Sequence, residues 1–88
     1  MKLLIKNFGD VLMSRPAGKE AVLFSEAYLL KTVSSSEEII LDFSEVKVLT
    51  PSWLDEFLTG LKNKYKNKID FLHTENPSVK ASLKTVLE

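Results

Sequence analysis

The sequence predicts a single α/β domain with parallel strands. Three times along its 88 residues, an apolar strand pattern is followed by a helical one. This alternation favours parallel strands joined by crossover helices. Each predicted helix opens with a proline placed directly after a capping residue or one residue later, at Pro16, Pro51 and Pro77. A chain of this length forms one core, so we expect residues 1–88 to be one domain.

The first half of the chain predicts two short strands and one long helix. Lys2–Asn7 alternates polar and apolar residues, as an outer strand does, and Val11–Met13 follows a turn as a short second strand. Ser14-Arg15-Pro16 opens a helix whose spacing continues to Val33. The residues predicted to form its apolar stripe are Leu23, Ala27 and Leu30, widened by Val22, Phe24, Tyr28 and Leu29.

The second half predicts a central strand, a helix, another strand and a last helix. Ser34–Ser36 ends the first helix, and the apolar run Ile39–Leu41 is typical of a central strand. Thr50 caps a helix, Lys68–His73 alternates as a strand, and Asn76 caps the terminal helix. The core stripe of the middle helix comprises Leu54, Phe57, Leu58, Leu61 and Tyr65, and that of the last helix Val79, Leu83 and Val86.

The amino-acid composition excludes several classes of function and of site. Basic and acidic residues number 12 each, which argues against a nucleic-acid binder, because such proteins need clustered cations. No cysteine is present, which excludes disulfides and thiolate zinc sites and fits a reducing compartment. We find no signal peptide and no membrane span in the sequence, and we expect a cytoplasmic protein.

The strand, loop and helix from Ile39 to Leu61 predict the surface that binds a ligand or partner. In α/β domains the start of such a helix lies at the carboxyl edge of the sheet, where ligands and partners bind. Its candidate partner-binding residues are Thr50, Ser52, Trp53, Asp55 and Glu56, together with the loop Glu45–Thr50. Trp53 falls at the edge of the apolar stripe, so the alternatives are an exposed anchor for a partner and a side chain at the rim of the core.

Ser52 is the candidate phosphorylation site, because a phosphate in the first turn of a helix is stabilised by free N–H groups. The alternative is a serine that merely favours the start of the helix. Asp42 ends the central strand and more readily accepts backbone hydrogen bonds than binds a metal. His73 has no nucleophile motif beside it. We therefore predict no catalytic residue, no metal and no cofactor.

The stretch from Leu41 to Leu58 resembles the STAS domain, the family of bacterial anti-sigma-factor antagonists, and is closer still to the STAS-like family of small bacterial proteins. Ser14-Arg15 matches a pair that the STAS-like branch carries before its first helix. The residues that fall on the family pattern are Ile40, Leu41, Asp42, Phe43, Ser44, Val46, Val48 and Leu49.

The resemblance implies a two-layer fold with a four-stranded mixed sheet, in which an N-terminal antiparallel hairpin precedes two parallel strands. About three helices would pack mainly on one face. It also implies a non-enzymatic regulator whose partner is a protein, of the histidine-kinase-like ATPase type. Neither nucleic acid nor a membrane is expected as a partner, and the oligomeric state stays open, a homodimer included.

The chain departs from the family pattern where the family carries its phosphoserine. Thr50 replaces the usual aspartate, Pro51 the phosphoserine, and Trp53 the following glycine. Proline has no hydroxyl, so the usual switch is absent at that position. Ser52 lies one residue later, about 100° further round the helix, so it does not simply inherit the role. The alternative function is a domain that binds a small ligand or nucleotide at the carboxyl edge, through Asp42, Thr50, Ser52 and His73.

Overall fold

The computed structural model describes residues 1–88 as five strands and three helices. The strands are β1 (Lys2–Leu4), β2 (Val11–Leu12), β3 (Ile39–Asp42), β4 (Val48–Leu49) and β5 (Ile69–Leu72). The helices are α1 (Arg15–Phe24), α2 (Pro51–Lys64) and α3 (Pro77–Leu87). None of the three is both long and apolar enough to cross a membrane. The predicted α/β class and its parallel strands are confirmed.

The strands form two parallel sheets, and the predicted N-terminal hairpin is wrong. β1, β3 and β5 make one sheet in that order, with β3 in the centre, and β2 pairs with β4 in a second sheet. The predicted strand Lys2–Asn7 ends at Leu4, because the chain tightens into a 3-10 turn at Ile5–Phe8 that buries Ile5. Gly9, at φ 122°, then leads the chain into β2, away from β1. Two all-parallel sheets therefore replace the single mixed sheet.

The larger sheet buries one face. Leu3, Leu41 and Phe71 are neighbours across its three strands and turn toward the core. The alternate positions include Lys2 and Asp70, which are exposed, and the buried Asp42. The second face is thus largely open, although parallel sheets are usually covered on both sides.

The buried face of α1 differs from the predicted stripe. The buried residues are Gly18, Ala21 and Val22, whereas Leu23 and Phe24 are about half exposed. The reason is a close approach of α1 to α2. A Cβ at Gly18 would lie 2.6 Å from the carbonyl oxygen of Trp53, and one at Gly60 only 2.7 Å from the Val22 side chain. The two glycines thus set which face of α1 meets α2.

The helix that begins with α1 continues to Leu29 as a π-helical segment, Ser25–Leu29, and not to Val33 as predicted. Ser25 is buried and its hydroxyl donates to the carbonyl of Ala21 at 2.7 Å. Such bonding to the preceding turn bends helices, which fits the change of helix type at this residue. Tyr28 and Ala27, both predicted to face the core, are exposed.

Candidate functional site

The start of α2 is fixed by Thr50, as the sequence predicts. The Thr50 hydroxyl accepts a hydrogen bond from the Trp53 amide at 3.4 Å and donates one to the carbonyl of Leu12 at 3.3 Å. Pro51 takes the first helical position, where its missing N–H leaves nothing unpaired. Thr50 therefore ties α2 to β2, and its hydroxyl is occupied inside the domain.

Trp53 is buried, and the expectation of an exposed anchor is wrong. Only 1% of its surface is accessible. Its indole stacks on Phe57 with ring centroids 4.9 Å apart and lies 6.0 Å from the ring of Phe8. Trp53 precedes Phe57 by one helical turn, so both rings share the apolar face of α2. The tryptophan is a core residue that holds the first turn of the helix in place.

The other candidate residues of α2 remain accessible, and two of them, Ser52 and Asp55, line an open groove. Ser52 is exposed, and Asp55 and Glu56 are partly exposed. Arg15 of α1 donates to Asp55 at 2.7 Å and lies 3.9 Å from Glu56. The hydrogen bond to Asp55 raises the pKa of Arg15 above its usual value, against a smaller effect of desolvation. The groove, of about 280 Å³, is lined by Arg15, Pro51, Ser52, Asp55, Thr85 and Val86.

The predicted docking loop Glu45–Thr50 is mostly built into the fold. Its middle forms β4, and Val46 and Leu49 are buried. The Asn76 side chain donates to the carbonyls of Val46 and Lys47 at 3.3 and 3.2 Å. The charged side chains of the loop form ion pairs, Glu45 with Lys6 and Lys47 with Asp10, and Val48 is also exposed.

A polar cluster at the carboxyl edge of the larger sheet joins Asp42, Ser44 and His73. The buried Asp42 carboxylate accepts from the Ser44 amide at 2.9 Å, from the Ser44 hydroxyl at 2.5 Å and from His73 Nδ1 at 2.9 Å. Lys2 Nζ lies 3.4 Å away. Desolvation alone would raise the pKa of Asp42, but the hydrogen bonds from Ser44 and His73 outweigh it and hold this pKa well below its usual range.

The cluster differs from a hydrolase triad in its geometry. A triad binds serine to one imidazole nitrogen and the carboxylate to the other. Here Ser44 Oγ and Asp42 Oδ1 both lie 2.9 Å from the same atom, His73 Nδ1. The serine hydroxyl also contacts the carboxylate directly. The arrangement fits a structural role, in which Asp42 holds the loops after β3 and β5 together.

The sequence identified only part of this cluster. The prediction that Asp42 accepts a backbone hydrogen bond is confirmed by the Ser44 amide. Ser44 was not among the candidates, although an aspartate two residues before a serine is a recognisable turn signal. Asp42 and His73 do meet, but Thr50 and Ser52 make no hydrogen bond to either of them. The four residues of the predicted ligand site therefore do not form one polar cluster.

Together, the fold and the accessible start of α2 define a small α/β domain of parallel strands with a polar groove where its helices meet. The family model described as a STAS-like domain of unknown function (DUF4325) matches residues 26–79. The chain therefore belongs to the STAS-like family. The match runs from the π-helical segment through β3, β4, α2 and β5 into the first turn of α3. No curated protein and no solved structure matches the chain.

Proposed function

We propose that this domain is a non-enzymatic regulatory module that binds a signalling protein of the histidine-kinase-like ATPase class. Its docking site is the groove lined by Arg15, Ser52 and Asp55, with Glu56 at its side. Thr50 and Trp53 contribute indirectly, because they fix the first turn of α2 that presents Ser52. The proposed setting is the cytoplasm, which the absence of cysteine supports.

The observation that carries this proposal is the open, charged groove where α1, α2 and α3 meet. Arg15 and Asp55 are each about half exposed, so a partner can reach the charges of both signs. Charges at the rim of an interface govern partner choice and association rate. Pro51 and Val86 add apolar surface beside them. Such a mixture of apolar and charged groups is typical of non-obligate protein interfaces.

Two further observations support the proposal. The chain belongs to a family described as STAS-like. The resemblance to STAS domains supports a regulator of the anti-sigma-factor-antagonist type. Ser44 Oγ and the Asp42 carboxylate contact the same nitrogen of His73, Nδ1, whereas a base that activates a nucleophile binds the carboxylate through its other nitrogen. No specific observation favours the nucleotide-binding alternative, whose four residues do not share one polar cluster.

Reversing one charge of the groove is expected to weaken partner binding. In Asp55→Lys, the lysine repels Arg15 and alters the charge that the partner meets, so we expect the dissociation constant to rise at least ~10-fold. Calorimetric titration against each histidine-kinase-like ATPase of the native host measures the change.

Glu75→Lys makes the same charge change at an exposed position in the loop before α3, away from the groove residues, and is expected to bind like the wild type. Circular dichroism of both variants checks the fold. If the wild-type chain binds no such ATPase, the partner class is wrong. Equal binding by Asp55→Lys and the wild type would instead refute the groove as the docking site.

Phosphorylation, if it serves this domain as a switch, is expected on Ser52. Its hydroxyl is exposed in the first turn of α2, and Arg15 lines the same groove as a nearby cation. A phosphate there would be favoured by the helix N-terminus and would compete with Asp55 for Arg15. Mass spectrometry after incubation with the ATPase and ATP tests this, with Ser52→Ala as the control. Phosphate found only on other residues would refute the assignment.

A further inference from the structure

The hydrogen bonds at the carboxyl edge of the larger sheet fix the tautomer of His73. The Asp42 carboxylate is ionised at neutral pH, because hydrogen bonds from Ser44 and His73 hold its pKa well below the usual range. His73 Nδ1 lies 2.9 Å from Asp42 Oδ1, a distance at which two lone pairs would repel each other. An ionised carboxylate only accepts hydrogen bonds, so Nδ1 carries the proton. In the neutral ring, Nε2 therefore carries a lone pair.

The second nitrogen of this ring has no partner in the chain. The side-chain hydrogen bonds and the ion pair of His73 all use Nδ1. The His73 side chain is 49% exposed, whereas the Asp42 side chain that it contacts is only 3% exposed. The imidazole thus has one nitrogen bound to a buried carboxylate and the other available to a group from outside.

The backbone of the cluster is strained. His73 has φ 57°, and Glu45, which follows Ser44, has φ 64°. They are the two residues other than glycine that adopt the left-handed region, where a Cβ is unfavourable. Such strain is concentrated at functional sites, where the surrounding contacts maintain it. Both strained residues of the fold lie at this cluster, which is a second reason to look for a function there.

The contacts of His73 limit what Nε2 can do. A metal ion needs several ligands, and no group of three histidine or acidic side chains in the chain could hold one. Nε2 is not a base for Ser44, because that hydroxyl contacts Nδ1. The remaining chemistry of an accessible, unprotonated imidazole nitrogen is nucleophilic attack. The carboxylate on Nδ1–H favours such an attack, because the ring becomes positively charged when Nε2 forms a bond.

We propose that His73 Nε2 accepts a phosphoryl group from a phosphoramidate donor, such as the phosphohistidine of another protein. The Nε2 lone pair attacks phosphorus and forms a new N–P bond, while the N–P bond of the donor breaks. The leaving nitrogen keeps the electron pair of that bond and takes a proton from solvent. The modified ring keeps its proton on Nδ1 and is cationic, and the Asp42 carboxylate stabilises this charge.

Two considerations favour a phosphoryl group over an acyl group. Lys2 Nζ lies 3.4 Å from Asp42 Oδ2 on a half-exposed side chain, and it supplies a cation for the phosphoryl oxygens. An acylated imidazole is hydrolysed quickly in water, whereas a phosphorylated one persists at neutral pH. His73 is the acceptor in this proposal, and Asp42 is a positioning residue. The site shares no residue with the groove at α2, so the proposal does not depend on docking there.

Reaction of the folded chain with potassium phosphoramidate tests the proposal. His73 is the only histidine, so a phosphohistidine in this protein is at that position. We expect one phosphoryl group, stable in alkali and lost in acid, and phosphorus NMR should show the Nε2 isomer alone because Nδ1 is occupied. The folded chain is expected to react at least ~10-fold faster than the urea-unfolded chain. Free N-acetylhistidine, measured under both conditions, corrects for the effect of urea.

Asp42→Asn tests the contribution of the carboxylate. The amide keeps the shape of the side chain but has no charge, so we expect the folded variant to react at least ~10-fold more slowly than the wild type. The matched control is Asp70→Asn, which makes the same change at an exposed residue of β5 and is expected to react like the wild type. Circular dichroism verifies that both variants fold.

The wild-type chain alone is enough to refute the proposal. The proposal fails if the folded chain gains no phosphoryl group on His73, gains it on Nδ1, or reacts no faster than the unfolded chain. This comparison needs no variant, so it also decides the question if Asp42→Asn does not fold. Equal rates for folded Asp42→Asn and Asp70→Asn would likewise overturn the proposal, because the buried carboxylate would then not activate the ring.

Discussion

Replacing Trp53 with alanine is expected to lower the free energy of unfolding by about 4 kcal/mol. The indole is 1% exposed and packs between Phe57 and Phe8, so its removal leaves a large cavity in the core. Domains of this size are stable by only about 5–10 kcal/mol, so the variant should be close to unfolding at 37 °C. Urea denaturation followed by circular dichroism measures the change, because the tryptophan fluorescence is lost.

Trp53→Phe is the matched control. It keeps one ring stacked on Phe57 and is expected to lower the free energy of unfolding by only about 1–2 kcal/mol. A partner anchor in solvent would behave differently, because its truncation affects binding and leaves stability almost unchanged. An unaltered urea midpoint for Trp53→Ala would therefore contradict the buried position of the indole.

Asp42→Asn is expected to lower the free energy of unfolding by about 2 kcal/mol at neutral pH and to flatten its dependence on acid. The buried carboxylate accepts three hydrogen bonds, from Ser44 and His73, and those to a charged acceptor are the stronger ones. Asparagine keeps the shape of the side chain but loses the charge. Urea denaturation from about pH 6 to about pH 2.5 measures both effects.

The sign of the pH dependence follows from the lowered pKa of Asp42. In the unfolded chain the carboxyl group takes up its proton near its usual value of 3.8, whereas the folded protein resists protonation to lower pH. The unfolded state therefore binds more protons in this range, and the stabilisation is full above that value and lost as the pH falls below it. Asp42→Asn should show less of this loss.

Asp70→Asn provides the comparison, because Asp70 is exposed on β5 and its carboxylate bonds only to the neighbouring Phe71 amide. We expect the free energy of unfolding of Asp70→Asn to change with pH as that of the wild type does. If the free energy of unfolding fell with decreasing pH equally in Asp42→Asn and in the wild type, Asp42 would not be the source of the acid sensitivity of this fold.

Local signals in the sequence predicted the helix starts correctly. Ser14, Thr50 and Asn76 each accept a backbone hydrogen bond at a helix N-terminus in the structure. The central strand was also predicted, since β3 lies between two parallel neighbours. These features depend on residues within one turn or one strand, which explains why sequence patterns identify them.

Features that depend on tertiary contacts were not predictable in this way. The pairing of β1 with β3 instead of β2 joins segments far apart in the chain, and no turn residue encodes it. The burial of Trp53 depends on Phe8, which arrives through the 3-10 turn. The face of α1 that meets α2 is set by Gly18 and Gly60, and a helical pattern based on large apolar residues gives these positions no weight.

The parallel pairing of the early strands has a consequence for synthesis on the ribosome. Lys2 pairs with Ile40 and Val11 pairs with Val48. β1 and β2 therefore cannot form their pairings until the ribosome has added another 38 and 37 residues, respectively. At about 5–20 residues per second the nascent chain spends seconds without either pairing. Contacts between such distant segments slow folding. β1 and β2 thus leave the exit tunnel before β3 and β4 and are among the segments that become ordered late.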